Sequence, residues 1–135
     1  MGESSIQLLM DKNSNTMPVS VGIPQGSVLG PTLFSLFAND LPSSIKSGSV
    51  YLFADDVTIY CIKKTVDEAV AQLDKALDEL YDWCILNRLT PHPQKSEAML
   101  ICKTRPMGPV APIYIGTDAI EWVKKSRLLG ITVDD

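Results

Sequence analysis

At 135 residues and 45% hydrophobic, the chain has room for one domain with a modest core and little beyond it. The net charge of −4 and pI of about 4.9 argue against a surface built mainly to neutralise phosphates. No apolar run approaches the roughly 20 residues of a membrane-spanning helix, and Met1–Ser5 does not open a signal peptide. The expectation is a soluble intracellular protein, nuclear or cytoplasmic, with no membrane partner. The charge is uneven: residues 1–87 hold 5 Lys/Arg against 11 Asp/Glu and residues 88–135 hold 7 against 5, so the balance runs from −6 to +2. Cys61, Cys84 and Cys102 are widely spaced in apolar surroundings, with His92 the sole histidine, and read as reduced core thiols rather than a zinc site.

In chain order, Gln7 to Val21 reads as two short extended pieces around the polar turn Asp11-Lys12-Asn13-Ser14-Asn15. Gly22 to Ser27 is too rich in Gly and Pro for regular structure. Gly30-Pro31 opens a helix, whose buried face is marked by Leu33, Phe34, Phe37, Ala38 and Leu41 and which Pro42 stops. Val50 to Ala54 and Val57 to Ile62 are β-branched and aromatic, and with only Asp55-Asp56 between them they predict a tight hairpin.

Thr65 and Glu68 have capping-box spacing, and from Val66 to Cys84 one apolar stripe at helical period predicts the longest helix. Its back carries Asp67, Glu68, Asp74, Asp78, Glu79 and Asp82 against Lys75, a pattern that suits a solvated face. Beyond Pro91 and Pro93, Ala98 to Cys102 reads as a strand, and Ile113 to Ile115, Ile120 to Val123 and Leu128 to Val133 as short β runs. The order is that of an α+β domain with antiparallel pairing.

Asp-Asp is not a favoured turn dipeptide, since two-residue turns want Gly or Asn where φ is positive. At a turn, however, both carboxylates can approach one point, and Mg²⁺ takes a few carboxylate oxygens with phosphate oxygens and water. A solvated turn and an unrelated Mg²⁺ phosphohydrolase both remain open at this level.

The wording of three further segments narrows the choice. Gly22-Ile23-Pro24-Gln25-Gly26-Ser27-Val28-Leu29-Gly30-Pro31-Thr32-Leu33-Phe34, then Asn39-Asp40-Leu41-Pro42, then Phe53-Ala54-Asp55-Asp56 resemble the B and C motifs of reverse transcriptases of non-LTR, LINE-type and jockey-type retrotransposons. Asn87-Arg88-Leu89 with Lys95 resembles the D motif, and Leu128-Leu129-Gly130-Ile131 the E motif or primer grip.

The resemblance implies a polymerase palm-like antiparallel sheet with two helices packed on one face. Residues 1–135 would form a partial reverse transcriptase domain lacking fingers and thumb, with strands in residues 1–21 leading into the B motif. It further implies Asp55 and Asp56 as catalytic metal ligands for Mg²⁺, with Mn²⁺ as a substitute. Pro24, Gln25, Gly26, Phe53 and Ala54 would line the nucleotide and template side, Lys95 would protonate the departing pyrophosphate, and Leu129 and Gly130 would grip the primer. RNA template, DNA primer and deoxynucleoside triphosphates are the implied partners of the full-length parent.

Two departures qualify the match. Thr90-Pro91-His92-Pro93-Gln94-Lys95-Ser96 stands where the family commonly has Leu-Asn-x-x-Lys-Thr. The family's A motif, with its own aspartate at the end of a strand, fits nowhere in residues 1–21, and Asp11 reads as part of a polar turn. The expectation is a polymerase piece inactive alone; the alternative is a degenerate retroelement-derived module with a binding role or none. Strands left uncovered by missing fingers would favour self-association.

Overall fold

A computed structural model describes residues 4–10, 36, 38–53, 56–128 and 131–134. In chain order the elements are β1 (Ser4–Met10), α1 (Leu41–Ser44), β2 (Ser49–Phe53), β3 (Asp56–Lys63), α2 (Val66–Leu86), a 3₁₀ turn (Pro93–Lys95), β4 (Ser96–Ile101), β5 (Tyr114–Ile115), β6 (Asp118–Ala119), β7 (Glu121–Trp122), β8 (Lys125–Leu128) and β9 (Ile131–Asp134). The main sheet has the order β2-β3-β1-β4-β7, while β5-β6 and β8-β9 are separate hairpins. The α+β reading holds, but the sheet is mixed. β4 and β7 run parallel through Glu97↔Glu121 and Ala98↔Trp122, joined by a long connection that a hairpin would not need.

Strand alternation sorts the sheet into two faces. Val50 and Leu52 of β2, Val57, Ile59 and Cys61 of β3, and Ala98 and Leu100 of β4 turn toward α2. That helix supplies Ala69, Val70, Leu73, Ala76, Leu77, Leu80, Trp83 and Cys84, all buried, so the predicted stripe is the core. Leu41 and Ile45 bring α1 and its exit into the same cluster. Cys61 is a free thiol pushed up to about 11 by burial, with Lys63 pulling weakly the other way, which fits the reduced core thiol expected there.

Each end of α2 has a local cause. Thr65 sits extended at the N-cap and its hydroxyl accepts from the Glu68 amide at 3.3 Å, while Asp67 and Glu68 place negative charge in the first turn. At the other end Arg88 takes φ +56°, and the Leu89 amide reaches back to the Cys84 carbonyl at 2.8 Å. This is the left-handed helix ending usually made by glycine.

Pro42 opens a helix rather than stopping one. It occupies the first turn of α1, where its missing N–H costs nothing and its fixed φ suits the helix. Of the helix expected before it, Leu33, Phe34 and Phe37 lie outside the described residues; Leu36 is exposed and Ala38 buried.

The acidic back of α2 is more than a solvated face. Asp74 Oδ1 accepts from the Tyr114 amide at 3.1 Å and so holds β5. Glu79 accepts from the Lys46 amide at 2.6 Å, the Ser47 amide at 2.9 Å and the Ser47 hydroxyl at 2.8 Å, clamping the α1–β2 connection. Burial alone would raise the Glu79 pKa, but these hydrogen bonds from Ser47 and Lys46, with Lys75 nearby, hold it below the ordinary carboxylate range. A folded pKa below the unfolded one contributes stability that is present above the unfolded value and is lost as pH falls through the folded one. Glu79→Gln is therefore expected to lower stability at pH 7 and to shrink the loss between pH 5 and pH 3, which urea denaturation across that range measures.

The last β runs differ in detail from expectation. Lys125–Leu128 is a strand rather than a connector, and Leu128↔Ile131 pairs it with β9, so the single run expected over Leu128 to Val133 is split into two arms. In the β5–β6 hairpin, Gly116 has φ +63°, and a Cβ there would lie 2.7 Å from the Tyr81 ring of α2. Both facts require glycine.

Candidate functional site

The β2–β3 hairpin carries the first part of the site. Its strands form because Val50, Val57, Thr58, Ile59 and the aromatic residues between them suit a pleated, half-buried surface. Asp56 opens β3 and pairs with Phe53, so the strands connect through residues 54 and 55 and not through Asp55-Asp56 as the sequence suggests. The connection is still two residues long, but it lies one residue earlier than expected, so Phe53 pairs with Asp56. Asp56 is half-buried at the end of a strand that neighbours both β2 and β1.

Asp56 shares its strand parity with Thr58, Tyr60 and Ile62, and therefore the face away from α2. Phe53 and Tyr51 of β2 fall on that face too, 63% and 64% exposed, with Ile62 at 52%. Tyr51 and Tyr60, diagonal across the two strands, stack with centroids 5.5 Å apart and ring planes 7° apart. Hydrogen bonding between their hydroxyls raises the Tyr51 pKa, and the same bond, helped by Ser49 directly opposite, lowers that of Tyr60. The site's open side is thus a flat aromatic surface with one carboxylate at its edge.

Register brings a second segment to the same end of the sheet. Met10 of β1 pairs with Val57 on one side and with Ser96 on the other. The start of β4 therefore lies two strand spacings, roughly 10 Å, from the start of β3. Lys95, half-buried, is the residue immediately before it, in the 3₁₀ turn that Pro93 initiates.

The β8–β9 hairpin is fastened nearby through a contact the sequence did not disclose. Ser126, buried between charged neighbours, donates from its hydroxyl to Glu97 Oε2 at 3.0 Å. Glu97 is the second residue of β4, so this bond fixes the approach of the hairpin whose arms end at Leu128 and Ile131.

Among the anticipated residues, the structure describes Phe53, Asp56 and Lys95; Pro24, Gln25, Gly26, Ala54, Asp55, Leu129 and Gly130 lie outside the described residues. Among the described residues no group of three or more His, Cys, Asp or Glu is close enough to hold a metal ion. Asp56, at the start of β3, offers a carboxylate, a hard oxygen donor of the kind that divalent cations take. No helix of the described residues is long and apolar enough to cross a membrane.

Comparison with known proteins bears on what this arrangement is. The family model described as reverse transcriptase (RNA-dependent DNA polymerase) matches residues 3–133. The chain is 33% identical over 134 residues to a probable RNA-directed DNA polymerase from transposon BS of Drosophila melanogaster, a match spanning 91% of this chain and 15% of the relative. It is 36% identical over 77 residues to the RNA-directed DNA polymerase from mobile element jockey of the same organism, spanning 52% of this chain and 8% of the relative. A third relative, a probable RNA-directed DNA polymerase from transposon X-element, also of Drosophila melanogaster, is 27% identical over 120 residues, 86% of this chain and 13% of its own length. No solved structure matches. The chain belongs to the reverse transcriptase family, in its non-LTR retrotransposon branch.

Proposed function

We propose that this chain supplies the part of an RNA-directed DNA polymerase that presents a carboxylate pair to the primer terminus. The observation that carries the reading is the placement of Asp56 at the end of β3, with the Lys95 turn at the same end of the sheet, in a chain of this family. Asp55 and Asp56 would hold the divalent ion, Mg²⁺ or Mn²⁺, which when bound supplies charge neutralisation at the reacting phosphate and activation of the attacking oxygen.

The remaining roles belong to the chain's own side chains. Lys95, a flexible ammonium on a short turn, would deliver a proton to the leaving pyrophosphate. Phe53, Ala54, Pro24, Gln25 and Gly26 would border the incoming nucleotide and the template base, glycine allowing close backbone approach. Leu129 and Gly130, between the arms of the β8–β9 hairpin, would hold the primer strand, with Ser126 and Glu97 fixing the angle of that hairpin. RNA template, DNA primer and deoxynucleoside triphosphates are the substrates of this reading.

The 135 residues alone are expected not to extend a primer, because a two-ion site needs a carboxylate beyond Asp55 and Asp56. Extension of a primed RNA template with Mg²⁺ or Mn²⁺ tests this. The reading expects incorporation from a longer polypeptide that includes this chain and none from the chain itself. Robust synthesis by the 135 residues would overturn the requirement for a further ligand. Absence of synthesis from every longer polypeptide would favour a retroelement-derived module without catalysis.

A further inference from the structure

At the far end of β3 from Asp56 lies an open groove of about 910 Å³ that the polymerase reading does not use. Lys46, Lys63, Lys64 and Lys75 line it, opposed by Glu68 as the acidic residue of the lining. Four of the chain's nine lysines thus converge on one depression of a protein whose net charge is −4.

The convergence is built by the fold. Glu68, Gln72 and Lys75 fall three or four residues apart and so share one stripe on the outer side of α2. Lys63 is the last residue of β3, which delivers Lys63 and Lys64 to the rim. Lys46 arrives from a connection distant in sequence, held against α2 because Glu79 accepts from the Lys46 and Ser47 amides. Both Glu79 oxygens accept from that connection, and its charge also acts on Lys75, so Glu68 and Glu79 together offset only part of the charge of the four lysines. Gln72 Oε1 is enclosed without a hydrogen-bond partner among the described residues. Turning it toward a ligand sacrifices no bond already made, and such an acceptor suits a hydroxyl donor such as a ribose 2′-OH.

We infer that this groove is a second nucleic-acid contact, binding backbone phosphates of the template–primer several nucleotides away from the nucleotidyl-transfer site. Lysine ammonium groups act on phosphates as point charges without reading sequence. β3 spans seven residue steps from Asp56 to Lys63, about 23 Å, and Lys63 has the opposite strand parity to Asp56, so the groove lies well clear of the transfer site. The choice of nucleic acid among polyanions rests on the family reading, whereas the anionic character of the ligand rests on the groove itself.

The test is fluorescence anisotropy of a fluorescein-labelled RNA–DNA heteroduplex with the full 135-residue chain, at several salt concentrations. A variant combining Lys46→Ala, Lys63→Ala, Lys64→Ala and Lys75→Ala is expected to bind about tenfold more weakly or worse at 0.1 M salt. Its slope of log affinity against log salt should fall by about 3 to 4, since each neutralised phosphate contributes about 0.9. Arginine at the same four positions should retain binding, showing that the alanine variant lost charge rather than fold. Asp118→Asn with Glu121→Gln, outside both the groove and the transfer site, should leave this binding near the wild-type value, which separates the groove from a general effect of surface charge. Wild-type affinity and slope in the alanine variant would overturn the proposal. So would an equal loss on replacing Lys103, Arg105, Lys124 and Arg127, or binding to phosphatidylserine vesicles with none to the heteroduplex.

Discussion

Asp55→Asn or Asp56→Asn, introduced into a longer polypeptide that contains this chain and extends primers on RNA, is expected to lower the extension rate by about 10³-fold or more. A divalent ion at the reacting phosphate supplies several kcal/mol of transition-state charge stabilisation. At about 1.36 kcal/mol for each factor of ten, loss of that contribution is a loss of roughly three decades. The amide keeps the size of the carboxylate while removing its charge. Asp56 begins a strand and is only half-buried, so its replacement should leave the unfolding midpoint near that of the parent. Single-turnover extension and thermal unfolding, measured on the same preparations, separate the two effects. A comparable collapse of stability would mean that Asp56 holds the hairpin rather than the ion.

The second large effect is on folding. Leu77→Ala is expected to destabilise the chain by about 2–5 kcal/mol, because Leu77 is fully buried in the middle of α2 and its removal leaves a cavity between helix and sheet. Against a typical total of about 5–15 kcal/mol that is a substantial fraction, and it should also abolish any activity that depends on the sheet's geometry. Leu86→Ala, on the same helix but 83% exposed, is expected to change stability by about 0.5 kcal/mol or less. Urea denaturation followed by tryptophan fluorescence compares the two; Trp83 is buried in the same core and would report its opening.

Much of the fold could be read in the sequence wherever periodicity and burial coincide. The stripe from Val66 to Cys84 became the core face of α2, and the Thr65–Glu68 spacing became its cap, because each of these rests on contacts within a few residues. Features that depend on distant partners could not be read this way. Glu79 looked like one more solvated carboxylate, and only the approach of the Lys46–Ser47 connection 32 residues away in sequence shows what it holds. Ser126 and Glu97 are related in the same manner.

The hairpin that carries the candidate site was legible, and its register less so. Phe53-Ala54-Asp55-Asp56 marked the hairpin, but the two-residue connection lies one residue earlier than the residue types suggested, and Asp56 belongs to β3. Lys95 was singled out by resemblance, and the register of β4 against β1 and β3 is what brings its turn to the sheet end where Asp56 lies. The first extended piece expected before Asp11 is the strand that runs from Ser4 to Met10, but its pairing with Val57 could not be inferred from local pattern. The parallel addition of β7 was equally hidden, since only two residue pairs carry it.

The central claim is that the sheet end carrying Asp55 and Asp56 takes a divalent metal ion. Titration of the isotopically labelled 135-residue chain with Mn²⁺, read as paramagnetic broadening of backbone amide resonances, tests it directly. Broadening centred on residues 53–57 and extending to the start of β4, and abolished by the Asp55→Asn, Asp56→Asn pair, is the predicted result. Broadening centred instead on the acidic back of α2, around Asp67, Glu68 and Asp78, and unaffected by that pair of substitutions, would contradict it.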